Sequence, residues 1–109
     1  MKVEINDLEF VGSFSVDSGQ VMIGDPCYLD SWNNNTNDEW NLDNKVGEYS
    51  YQGASATTLS NNFGTLGTAT AVVSSTGYGD GMYSVYAKTN EDNRVAYLVI
   101  DFEGEFDDE

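Results

Sequence analysis

Ser75-Thr76-Gly77-Tyr78-Gly79-Asp80-Gly81 leads into Met82–Lys88, a turn at Thr89–Asn93, and a long apolar run from Arg94. This stretch decides the fold class. Met82–Lys88 is rich in Tyr and Val, residues that suit a pleated, half-buried surface. Thr89-Asn90-Glu91-Asp92-Asn93 is built of turn formers. From Arg94 the residues alternate. Ala96, Leu98, Ile100, Phe102, Gly104 and Phe106 share one face, and Val95, Tyr97, Val99, Asp101, Glu103, Glu105 and Asp107 share the other. The second face turns acidic at Asp101. Phe102 and Phe106 are expected to hold the acidic tail in strand register, with fraying over 107–109.

Working outward, Thr68–Ser75 is β-branched and apolar and reads as a central strand. With the two strands that follow it predicts a C-terminal three-stranded meander. Leu8–Val16 alternates too, with Leu8, Phe10, Gly12, Phe14 and Val16 on one face. Asp17-Ser18-Gly19 supplies a turn into Gln20–Ile23, so the first 24 residues predict a hairpin. Pro26, the only proline, makes Gly24–Leu29 a defined corner. Asp30–Asn44 is irregular and Asn-rich, with Trp32 and Trp40 expected to fold onto the core and a helical turn near 38–42. Val46–Gln52 and Ala54–Ser60 read as strands around Gly53. The expected architecture is a single all-β domain over 1–109, a small antiparallel barrel or sandwich.

Charge bounds the partners. Nineteen Asp and Glu stand against four Lys and Arg with no His, a net charge of −15. Direct binding to nucleic acid or to an anionic membrane is disfavoured, because counterion release needs cations on the protein. A basic partner surface is favoured. No apolar run is long enough to span a bilayer, and the N-terminus has no signal-peptide pattern. One cysteine, Cys27, allows no internal disulfide, which suits a reducing cytoplasm.

Catalysis finds little support. Cys27 has no His to activate it and reads as a small buried hydrophobe. The serines likewise lack a histidine base. With no His and one Cys, zinc and copper sites are not expected. Asp38, Glu39, Asp43 and the nearby Asn could offer oxygen ligands to calcium, but their spacing does not match an EF-hand loop, so no metal or cofactor is expected. Gly77-Tyr78-Gly79-Asp80-Gly81 precedes a strand and has no Lys after its last glycine, so it matches neither a phosphate loop nor a dinucleotide fingerprint. It reads as a tight hairpin joint with Asp80 capping amides. The alternative to a binding surface is a small-ligand pocket or a cryptic enzyme site at Asp25, Tyr28, Tyr78 and Asp80.

The favoured surface is the last strand, with Asp101, Glu103, Glu105, Asp107 and Tyr97 as contacts. An exposed Tyr beside carboxylates anchors Arg and Lys by cation–π and ion pairing together. Alternate carboxylates on a strand lie roughly 6.6 Å apart. Spread evenly over roughly 6,000 Å² of surface, the net charge is about fourfold more dilute than on DNA. Nucleic-acid mimicry therefore requires the carboxylates to cluster.

Val16-Asp17-Ser18-Gly19-Gln20-Val21-Met22-Ile23-Gly24-Asp25-Pro26-Cys27-Tyr28-Leu29 resembles the opening of a family of uncharacterised bacterial and bacteriophage proteins. Ser75–Tyr86, followed by Arg94-Val95-Ala96 and Ile100-Asp101-Phe102, resembles that family's closing segment, Ser84 standing where the family usually has Pro. The resemblance assigns no site residue. It implies a small phage-type protein of the host cytoplasm, by analogy an inhibitor of a host nucleic-acid-binding, restriction or defence protein.

Overall fold

The computed structural model of the chain describes residues 8–33 and 41–104. In chain order they form β1 (Glu9–Val16), β2 (Gln20–Gly24), a 3-10 helix (Pro26–Ser31), α1 (Tyr51–Asn61), β3 (Phe63–Leu66), β4 (Ala71–Ser75), β5 (Gly81–Thr89) and β6 (Val95–Asp101). The class is mostly antiparallel β, in two open three-stranded sheets ordered β1-β5-β6 and β2-β4-β3. The chain divides into two compact units, Ser18–Gly79 and the pair of segments Met1–Asp17 and Asp80–Glu109.

Pairing departs from the expected hairpins. β1 and β2 are consecutive but pair with β5 and β4 respectively. The strand at 71–75 joins β2 and β3, so the third strand beside the β5–β6 hairpin is β1. Two local facts explain this. The carbonyl of Gly19 accepts from Thr76 N–H (3.0 Å), tying the 17–19 turn to the loop after β4. β2 also finds apolar cross-strand partners in β4, with Met22 opposite Val73 and Ile23 opposite Val72. The Gly77–Gly81 segment is thus a linker and not a hairpin joint. Its hydrogen bonds use Ser75 and Thr76, whose hydroxyls accept from Gly77 N–H and Tyr78 N–H.

The unit Ser18–Gly79 is a sheet with a helix on one face. Val46–Gln52 and Ala54–Ser60 were expected to be strands around Gly53, but no strand forms over 46–50 and the residues that follow, 51–61, are helical. They form a helix because Ser50 caps it, its hydroxyl accepting from Gly53 N–H at 2.9 Å. Asn62 ends it in the left-handed region, φ 70°. The buried run Gly53, Ala54, Ser55, Ala56 and Thr57 is small enough to let helix and sheet approach closely. A Cβ at Gly64 of β3 would lie 2.5 Å from the Thr57 methyl. The core comprises Tyr49, Ala54, Leu66, Ala71 and Val73, with Met22 and Trp32 packed against it. Trp32 meets Tyr49 edge-on at 5.0 Å, so it does fold onto the core. Trp40 and most of the 38–42 turn lie outside the described residues.

The other unit is the β1-β5-β6 sheet. A bulge at Val11 shifts the register between Phe10 and Gly12. Phe10 therefore lies on the face of its partner Tyr86, while Phe14 lies on the opposite face with Tyr83. The sequence alternation had placed Phe10 and Phe14 together. The β5–β6 turn is held by the Asn90 side-chain oxygen, which accepts from Asp92 N–H (2.9 Å) and Arg94 N–H (3.1 Å).

Candidate functional site

The C-terminal strand stops earlier than its alternation suggests. β6 ends at Asp101, whose Oδ1 accepts from both Glu103 N–H and Gly104 N–H at 3.0 Å. Gly104 then takes φ 76°, a conformation that favours glycine. A carboxylate that captures two following amides closes a turn instead of continuing a ladder. Asp101 is accordingly buried, at 8% exposure. Glu103 is exposed beyond it. Tyr97 is half-buried opposite Lys88, on the same sheet face as Asp101. Glu105, Phe106 and Asp107 lie outside the described residues.

The two faces of β6 are not divided into covered and open as expected. Ala96 and Leu98, expected inward, are exposed, Leu98 by 61%. Alternation states which residues share a face but not which face is covered. Through Val99 both sets are apolar, so the sequence marks no preference.

Register nevertheless gathers acidic groups. Val16 pairs with Gly81 and Ser84 with Asp101. The Phe102 ring stands edge-on to Tyr83 at 5.4 Å, continuing the third strand's path toward the same end. Asp17, Asp80 and Glu103 therefore project from one end of this sheet, all exposed. They do not converge tightly enough to hold a metal ion. Among the described residues no Lys or Arg shares that end. Lys88 and Arg94 belong to the opposite end, beside Glu91 and Asp92, and Lys45 pairs with Glu48 at 3.5 Å in the other unit. In sequence, Glu105, Asp107, Asp108 and Glu109 follow directly after Gly104.

Of the second set of sequence candidates, Asp25, Tyr28 and Tyr78 belong to the Ser18–Gly79 unit and Asp80 to the other. Asp25 caps the 3-10 helix, its Oδ1 accepting from Cys27 N–H at 2.9 Å. Tyr28 follows one residue later, its N–H donating to the Asp25 carbonyl, and its side chain is 47% exposed. Cys27 is exposed too, not the buried hydrophobe expected, because no residue of the 3-10 helix is buried. Tyr78 is 61% exposed in the glycine linker and Asp80 is exposed two residues on.

Sequence reading missed a cleft in the Ser18–Gly79 unit. About 360 Å³ in volume, it is lined by Ser18, Gly19, Gln20, Ser55, Thr58, Leu59, Asn62 and Ser75. None of Asp25, Tyr28, Tyr78 and Asp80 lines it. Gln20 spans it, its amide donating to Ser55 Oγ at 3.0 Å and accepting from Thr58 Oγ1 at 2.9 Å. The lining carries no charge. The available signal was the spacing of Ser55, Thr58 and Asn62, a polar stripe at helical period that a strand reading disperses.

No helix among the described residues is long and apolar enough to cross a membrane. Residues 2–100 match the model of the family described as "Protein of unknown function (DUF4241)", and the chain belongs to that family. No curated protein and no solved structure matches it significantly.

Proposed function

We propose that this member of the family acts by binding and not by catalysis, blocking a basic surface on another protein with its acidic strand end. The observation that carries the reading is the gathering of Asp17, Asp80 and Glu103 at one end of the β1-β5-β6 sheet, with no cation among the described residues there. Uniform charge is too dilute to imitate a nucleic acid, so grouping is the property the reading needs. Asp101 contributes indirectly, since its two amide bonds fix the turn that presents Glu103. In a phage-type protein the target is a nucleic-acid-binding or defence protein of the host, met in the host cytoplasm and held as that protein holds phosphates.

The test is capture from a bacterial extract with the full chain as bait, at low and high salt, beside the triple variant Asp17→Asn/Asp80→Asn/Glu103→Gln. All three side chains are exposed, so the fold tolerates the change. A basic partner is expected at low salt, released at high salt and depleted with the variant. Equal capture by both baits would overturn the reading.

A second reading, small-ligand binding, rests on the cleft at Gln20. Its volume lies at the lower end of ligand pockets. Its hydroxyl and amide lining suits a neutral, hydrogen-bonding molecule, and the net charge of −15 repels anions from it.

A further inference from the structure

Among the described residues β6 is an edge strand of its sheet, and from Tyr97 to Ile100 it lacks the usual protection of an edge. Val95-Ala96-Tyr97-Leu98-Val99-Ile100 contains no charge and no proline. Its irregularity is a bulge at Ala96, between Val95 opposite Thr89 and Tyr97 opposite Lys88; Tyr97–Ile100 beyond it pairs in regular register. Natural edge strands are blunted by charged side chains, prolines or bulges, because their free N–H and C=O groups invite another strand. The other edge, β1, carries a bulge of the same kind at Val11. On β6, Val95 and Leu98 are each 61% exposed and Ala96 is exposed. The outward N–H and C=O groups of Val95–Ile100 meet no partner among the described residues.

We propose that β6 receives an extended segment of the partner as a fourth strand, the segment being apolar in its middle and carrying Lys or Arg where it passes Glu103. This rests on the reading of the protein as a binder of basic partners and names how the partner docks. Main-chain hydrogen bonds supply affinity and alternate side chains supply selection. Seven residues of β6 extend over roughly 23 Å. The finish of that length is acidic, with Asp101 and Glu103 beside Asp80 and Asp17, whereas at the start Lys88 and Arg94 balance Glu91 and Asp92. A net charge of −15 on each chain disfavours a second copy as the occupant, and a parallel copy would in addition set the two acidic finishes together.

The experiment uses the full chain and two synthetic peptides of equal charge. One reads Lys-Lys-Val-Thr-Val-Thr-Val-Lys-Lys. The other has its middle interrupted by Gly and Pro, which cannot complete a ladder. Affinity is read by fluorescence anisotropy and docking by amide exchange over Val95–Ile100. The first peptide is expected to bind at least about tenfold more tightly, to slow exchange on β6, and to lose that advantage against Leu98→Lys. Leu98→Ala, which keeps the edge uncharged, is expected to retain most of it. Equal binding of both peptides without protection of β6 would overturn the docking mode while leaving the electrostatic reading standing. Binding of neither overturns the docking mode as well, and capture at low salt then judges the electrostatic reading by itself. A concentration-dependent dimer that protects β6 without peptide overturns the proposal in favour of a second copy.

Discussion

Asp101 shows how one carboxylate can look like a contact and serve as a fastening. In the alternation it opens an acidic row. In the fold it is 8% exposed and its Oδ1 holds the amides of Glu103 and Gly104. Hydrogen bonds to a charged acceptor are stronger than neutral ones, and losing that acceptor leaves two donors to be satisfied by water. Asp101→Ala is therefore expected to destabilise the chain by about 2 kcal/mol, read as a lower urea midpoint with an unchanged slope. The amides of Glu103 and Gly104 should exchange faster than the rest of β6. If stability is unchanged and only partner binding falls, Asp101 is a contact and the turn is held by something else.

At the scale of elements, α1 is where sequence reasoning failed most and where the physical cause is clearest. Its hydrophobic alternation is almost nil, since Gly53, Ala54, Ser55, Ala56 and Thr57 are buried by smallness and not by apolar bulk. The Ser50 cap and the Asn62 stop are present in the sequence, but the Thr- and Ala-rich run between them marks neither a strand face nor a helix face. The Thr57 hydroxyl in fact bonds the Gly53 carbonyl at 2.7 Å within the helix. By contrast β1, β2, β4, β5 and β6 were legible as strands, because each carries enough apolar or β-branched residues to mark period two. Their partners were not legible, since pairing depends on which apolar faces meet and on the Val11 bulge. The acidic strand end was invisible for the same reason: Asp17, Asp80 and Glu103 are brought together only by register. Gly53 tests the account of the helix. In an open helix Gly→Ala stabilises by about 1 kcal/mol. Here a Cβ would lie 1.9 Å from the Glu48 carbonyl oxygen and 2.6 Å from its carbon, both backbone. Gly53→Ala is expected to reverse the sign and cost about 3 kcal/mol or more, seen in thermal or urea unfolding. A stabilised variant would mean that the helix does not start against Glu48 as described.

For the whole molecule, the charge of −15 makes stability and binding respond to salt in opposite directions. Carboxylates crowded on a small chain repel one another, which opposes compaction. Raising ionic strength from about 0.01 M to about 0.15 M shortens the screening length from roughly 30 Å to roughly 8 Å. Relief of about 1 kcal/mol of repulsion corresponds to a Tm higher by about 4–8 °C in a chain of this size. Over the same range, attraction to a cationic partner is screened, so affinity for a polylysine probe falls. Differential scanning fluorimetry and anisotropy in matched buffers read both slopes from one preparation. The triple variant at Asp17, Asp80 and Glu103 separates local from global charge. Removing three of nineteen acids takes the net charge from −15 to −12, so self-repulsion, which scales roughly as the square of the charge, and with it the Tm slope fall by about a third. If those three form the working surface, its binding slope flattens disproportionately. A variant whose two slopes shrink in the same proportion would show instead that the probe feels only the total charge, and that no end of the sheet is privileged.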